Sequence, residues 1–161
     1  MSGKQHVYRV DVIWTGNRGV GTRGYRDYGR DHEIRAEAKP SIPGSSDPSF
    51  RGDAARWNPE ELLLASVSAC HKLWCLHLCS AAGVVVTGYE DQAEGVMVET
   101  ADGGGHFASV TLRPRVRLAP GSDTARAGAL HHDAHQKCFV ANSVNFPIAV
   151  EPTFEVEEAV D

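Results

Sequence analysis

The sequence predicts an α+β fold in which antiparallel sheets pack on buried helices, arranged as one domain over residues 1–161. Three observations carry that reading. Residues 58–83, NPEELLLASVSACHKLWCLHLCSAAG, are the longest apolar stretch and bear helix signals at both ends. The runs on either side alternate polar and apolar residues with the period of two that marks a half-buried strand. A second, more polar helical register starts at Ser122 or Asp123 and runs to about Lys137.

Taken in order, His6 to Trp14 sets Tyr8, Val10, Val12 and Trp14 against Arg9 and Asp11, which predicts a half-buried first strand. TGNRGVGTRG turns the chain. Gly24 to Tyr28 is expected to return as a strand, and Ile34, Ala36 and Ala38 mark another within His32 to Lys39. Residues 40–57 hold three prolines and two glycines with little periodicity, so a long surface loop is expected there. Asn58 then caps the central helix, Pro59 suits its first turn, Glu61 can return a bond to the Asn58 amide, and Gly83 stops it. Beyond it, residues 84–100 read as a strand with bends at Gly88 and Gly95. His106 to Leu118 places Ala108, Val110, Leu112, Pro114, Val116 and Leu118 on one face, with Pro114 marking an edge or bulge. Phe146 to Val156 closes a second meander.

Leu62, Leu63, Leu64, Val67, Leu73, Trp74, Leu76 and Leu78 fall on every side of the central helix, so the usual polar stripe is missing and the helix should be buried all round. One small sheet cannot cover such a helix. A second copy of the chain would, and a two-fold homodimer is expected.

The net charge of −5, with Lys and Arg scattered, argues against nucleic acid as a partner. MSGKQHVYRV lacks an apolar signal core, and His71, Lys72 and His77 interrupt the central helix, so no membrane partner and a cytoplasmic location are expected. Four cysteines, three of them on one helix, are a poor disulfide framework.

Cys70 can be a packing residue or a nucleophile. For chemistry it must ionise against the effect of burial, and a neighbouring arginine could lower its pKa by ~1–3 units. Cys138, at the end of the second helix, can be a packing residue or a resolving thiol that traps a sulfenic acid as a disulfide. His131, His135 and Cys138 have spacing acceptable for a catalytic zinc, but with no cysteine-pair knuckle beside them the favoured reading of His131, His132, Asp133 and His135 is a solvated face. Core packing is the simplest role for Cys75 and Cys79, and a core or interface role for His71 and His77.

The run NPEELLLASVSAC at residues 58–70, with Cys138 near the end of the second helix and the strands–helix–strands–helix–strand order, resembles the OsmC/Ohr family of osmotically inducible and organic hydroperoxide resistance proteins. The resemblance spans essentially the whole chain. It implies an intertwined homodimer with sheets wrapped around central helices, and a thiol-dependent peroxidase in which Cys70 attacks an organic hydroperoxide and Cys138 resolves the sulfenic acid. No cofactor or metal is implied, and an external dithiol would restore the thiols. Residue match gives Glu60 the role of orienting an arginine, for which Arg51 is favoured over Arg56, Arg18 and Arg23. Ten residues of helix separate Glu60 from Cys70 by about 15 Å, so Glu60 would serve the Cys70 of a partner subunit. His71 after Cys70, the Trp74–His77 run, and Phe139 after Cys138 depart from the common pattern and mark a divergent subgroup. The other reading is a dimer of the same fold that binds a small apolar ligand without catalysis.

Overall fold

The computed structural model describes residues 3–159, whose contacts fall into two compact units, one running to Leu62 and the other from Leu63 onward.

In the first unit, β1 (Asp11–Trp14), β2 (His32–Arg35) and β3 (Ile42–Gly44) form an antiparallel sheet in that order. Its pairing begins at Asp11 opposite Arg35, so the strand expected from His6 is a strand only from Asp11, and β1 is exposed along its length rather than half-buried. Residues 24–28 are not a strand. The Arg30 guanidinium stacks over Tyr25 and Tyr28 and donates to both their carbonyls, at 2.8 and 2.7 Å, while the Asp27 amide closes a turn on the Gly24 carbonyl. Those bonds take up the backbone that a ladder would need.

The expected loop over residues 40–57 contains β3 and a short 3-10 turn, Pro48–Phe50. Polar bonds hold it in place. The fully buried Ser45 hydroxyl donates to Asp31 at 3.0 Å and accepts from the Asp53 amide at 3.1 Å, and Asp47 caps the turn. Gly52 passes so close to the Ser46 carbonyl that no Cβ would fit.

Helix α1 (Pro59–Ala81) starts at a reciprocal cap: the Glu61 amide donates to Asn58 Oδ1 at 2.8 Å, and the Asn58 amide donates to Glu61 Oε2 at 3.1 Å. It ends where Gly83 takes φ of 72°, with its amide bonded to Ser80 and the Val84 amide to Cys79. That pair of bonds satisfies two last-turn carbonyls. Among the described residues, α1 is the helix long and apolar enough to cross a membrane. Within one chain only a narrow stripe of it is buried, Val67, His71, Cys75 and Cys79, spaced by four. Leu73 remains 61 % exposed.

In the second unit, β4 (Val86–Asp91), β7 (Pro114–Leu118) and β9 (Thr153–Val156) form one sheet, and β5 (Glu94–Glu99), β6 (Gly105–Leu112) and β8 (Ile148–Val150) another. Each expected long strand is thus two strands that change sheet, one pair breaking after Asp91 and the other at Arg113. Asp91 ties these breaks together: its carboxylate accepts from the Arg113 amide at 2.7 Å and from the Ser68 hydroxyl. The bend expected at Gly88 coincides with a register shift between Val86 and Gly88. Pro114 opens β7, where its missing N–H is tolerated.

Helix α2 (Thr124–Lys137) is capped by Asp123, whose carboxylate accepts from the Ala125 and Arg126 amides. It supplies the crossover that lets β8 pair parallel to β6 and β9 parallel to β7, so the closing strands are parallel rather than part of a meander. Cys79, Val84, Val116, Leu118 and Ala127 form one core cluster, and Val67, Val110 and Leu112 the other.

Candidate active site

The inward stripe of α2 reads Ala127, His131, Ala134 and then Cys138 at the helix C-cap, all of them buried. Alanines at two of these positions keep the stripe shallow, so the side chains between them can reach α1. Two pairings result.

In the first, Cys138 lies near Cys70. Burial pushes the Cys138 thiol up to about 11, and the nearby Cys70 thiol acts in the same direction, opposed by the Ala141 and Val140 amides. The Ala141 amide donates to Cys138 Sγ at 3.4 Å. Cys70 is half-buried and Cys138 is 1 % exposed. Two neighbouring thiols on different elements can join as a disulfide where their Cα atoms come within about 4.4–6.8 Å.

Arg51 and Glu60 belong to the first unit. Arg51 caps the 3-10 turn in the left-handed region, φ 67°, with an exposed side chain, and among the described residues it makes no ion pair. Arg56 is engaged by Glu33 at 3.3 Å, Asp31 at 3.7 Å and Asp53 at 3.9 Å, and also donates to the His32 carbonyl. Arg18 and Arg23 lie exposed in the turn after β1. Glu60 sits half-buried in the first turn of α1.

The second pairing joins His71 and Cys75, which the sequence reading left in the core, to His131. His71 Nε2 lies 3.1 Å from His131 Nδ1, and Cys75 Sγ lies 3.3 Å from each of those nitrogens. All three residues are buried. Burial, then the neighbouring His131 and His135, hold the His71 imidazole down to about 4, against an opposing pull from Asp91; burial does the same to His131. Both rings are therefore neutral at pH 7. Burial drives the Cys75 thiol far above its ordinary range, with Cys79 and Cys138 adding to the effect.

Tyr89 stacks on His131 at 6.2 Å and Phe154 meets its edge at 5.6 Å. His71 Nδ1 and the Tyr89 hydroxyl are buried without a hydrogen-bond partner. The structure thus corrects one expectation, since His131 is buried and does not belong to a solvated face, and it adds to another, since Cys75 is buried as expected but lies against two imidazoles. It also divides the set His131, His135 and Cys138, since His131 joins His71 and Cys75 while Cys138 joins Cys70. The four-residue step from His71 to Cys75 was visible in the sequence, but their partner lies 60 residues beyond His71.

The fold has the features of a known class, and comparison with other proteins identifies it. The family model for OsmC-like protein matches residues 52–153, and the chain belongs to the OsmC family. An OsmC-like protein of unknown function from Vibrio cholerae shares 27 % identity at a TM-score of 0.81, covering 92 % of this chain and 100 % of that one. An organic hydroperoxide resistance protein from Legionella pneumophila shares 17 % identity at a TM-score of 0.68, covering 96 % and 100 %. The organic hydroperoxide resistance protein of Bacillus subtilis shares 20 % at 0.62, covering 93 % and 98 %. No protein of curated function matches the sequence.

Proposed function

We propose that the chain is a cysteine-based peroxidase that reduces organic hydroperoxides. The observation that carries this reading is the placement of Cys70 on α1 near Cys138 at the end of α2, close enough for the one thiol to perturb the other. Membership of the OsmC family and likeness in fold to organic hydroperoxide resistance proteins support it.

The Cys70 thiolate attacks the terminal oxygen of the hydroperoxide. An S–O bond forms as the O–O bond breaks, and the alkoxide takes up a proton and leaves as an alcohol. Cys138 sulfur then attacks the Cys70 sulfenic acid, an S–S bond forms, and hydroxide departs with the Cys138 proton as water. An external dithiol reduces the disulfide and becomes oxidised itself. Burial, which keeps Cys138 protonated, suits a thiol that must wait until the sulfenic acid has formed.

The cation that stabilises the Cys70 thiolate is assigned to Arg51, oriented by Glu60, within a homodimer in which each Glu60 serves the partner's site. The whole chain then acts as one OsmC-like domain in an intertwined dimer. Three cysteines crowded on one helix make a poor disulfide framework and fit a cytoplasmic location.

Turnover of cumene hydroperoxide with a dithiol reductant tests the reading. Cys70→Ser is expected to abolish it, and Cys138→Ser to allow at most one turnover before over-oxidation. Multi-turnover activity in Cys70→Ser would refute the assignment. One equivalent of peroxide should remove two thiols per chain, whereas a dimer that merely binds an apolar ligand would lose none.

A further inference from the structure

Cys75 Sγ, His71 Nε2 and His131 Nδ1 form a closed triangle whose edges measure 3.1, 3.3 and 3.3 Å. Hydrogen bonding alone does not account for it. Cys75 carries one proton and sits at two edges. A neutral imidazole carries one N–H, and if His71 turns its N–H into the triangle, its orphaned Nδ1 is left as a buried acceptor with no donor. If it turns a lone pair inward instead, Nδ1–H is a buried donor with no acceptor. Either way a buried polar atom goes unpaired, at a cost of about 1–3 kcal/mol. What all three inward-facing atoms share is a lone pair.

We propose that His71 Nε2, Cys75 Sγ and His131 Nδ1 bind one closed-shell thiophilic cation, zinc(II) or copper(I), tying α1 to α2. All three donor atoms lie within 4.8 Å of one another. A single point lies about 1.9 Å from each corner of the triangle, slightly inside the ~2.0–2.1 Å of a zinc–imidazole bond and the ~2.3 Å of a zinc–thiolate bond. Small outward movements of the donors therefore suffice. Imidazole and thiolate select zinc or copper(I) over magnesium and calcium, which require oxygen ligands.

An imidazole whose proton sits on its other nitrogen offers a lone pair, and the Cys75 thiol proton is released to solvent as the metal–sulfur bond forms. With two neutral nitrogens and one thiolate, copper(I) gives an uncharged buried unit. Zinc(II) leaves a single positive charge and a fourth position for water, and the orphaned Tyr89 hydroxyl, packed on His131 through its ring, is a polar group at hand for that water.

The site is separate from the Cys70–Cys138 pair, but its ligands stand on the same two helices. His71 follows Cys70 directly, and His131 lies two turns before Cys138. A bound ion would fix how the two thiols face each other while taking no part in their redox chemistry.

The test is metal titration of the reduced full-length chain. Cobalt(II) should bind one per chain with a thiolate-to-cobalt charge-transfer band, and zinc(II) should displace it. Anaerobic competition against chelators specific for zinc(II) or copper(I) tells the two ions apart, and tight one-to-one binding of either supports the proposal. Cys75→Val, which preserves core volume, and His131→Gln are expected to abolish the band and weaken binding at least about tenfold, while Cys70→Ser and Cys138→Ser retain it.

X-ray absorption of the zinc-loaded wild type, which does not depend on any variant folding, should show one sulfur and two nitrogens from the protein. Failure to bind one ion per chain, two sulfurs in the first shell, or a band that survives Cys75→Val would overturn the proposal. The peroxidase reading is tested through Cys70 and Cys138, so either conclusion can fail without the other.

Discussion

Each cysteine owes its chemistry to its immediate neighbours. Cys70, Cys75 and Cys79 share one helix, yet Cys79 packs among Val84, Val116 and Leu118, Cys75 faces two imidazoles, and Cys70 lies near another thiol. Burial and the nearby Cys70 thiol hold Cys138 up at about 11, so thiolate is scarce at pH 7. Native-state alkylation of Cys138, followed by peptide mass spectrometry, should therefore be slow at pH 7 and accelerate only toward pH 11. Labelling at pH 7 as fast as that of an unfolded peptide would contradict this. Leu118 is fully buried in the same unit. Leu118→Ala should lower unfolding free energy by about 2–5 kcal/mol, read from the denaturant midpoint. Cys70 and Cys138 stood out in the sequence because they carry the resemblance. The triad was not, because its third member lies on another element and neutral buried histidines look like polar surface until the fold is known.

Among the elements, α1 was the most legible. Asn58, Glu61 and Gly83 act locally, within three residues or through one backbone angle, and each occupies the position the sequence indicates. Asn58→Ala should cost about 1 kcal/mol through loss of the cap. Gly83→Ala should cost about 1–2 kcal/mol because an L-residue is strained at positive φ. Thermal unfolding of the two variants checks both values.

Strands were less legible. Alternation correctly marks the inward face from Val110 to Leu118, but it does not register the break at Arg113, since Leu112 and Pro114 keep the period while the chain changes sheet. Parallel pairing of β8 and β9 was also hidden, because it depends on where α2 returns the chain. Residues 24–28 misled for a different reason: Arg30 claims their carbonyls, a contact with no periodic signature.

For the whole molecule, the open question is what covers the outer face of α1. Leu73 and Phe139 are 61 % and 72 % exposed, and Trp74 packs edge-on against Phe139. In the other unit, Val12, Ile13 and Trp14 of β1 are exposed as well. If a second copy covers these surfaces, light scattering at micromolar concentration should return twice the 17.4 kDa chain mass, and Leu73→Glu should shift it toward one. A wild-type chain of single mass would remove the dimer and with it the shared role of Glu60. The sequence by itself determined the fold class, the span and caps of α1, and the two cysteines of the proposed redox pair, because these depend on neighbours in the chain or on motif. Only the tertiary structure decided that the long strands break between sheets and that His71, Cys75 and His131 converge, since those outcomes depend on contacts between residues as many as 60 positions apart.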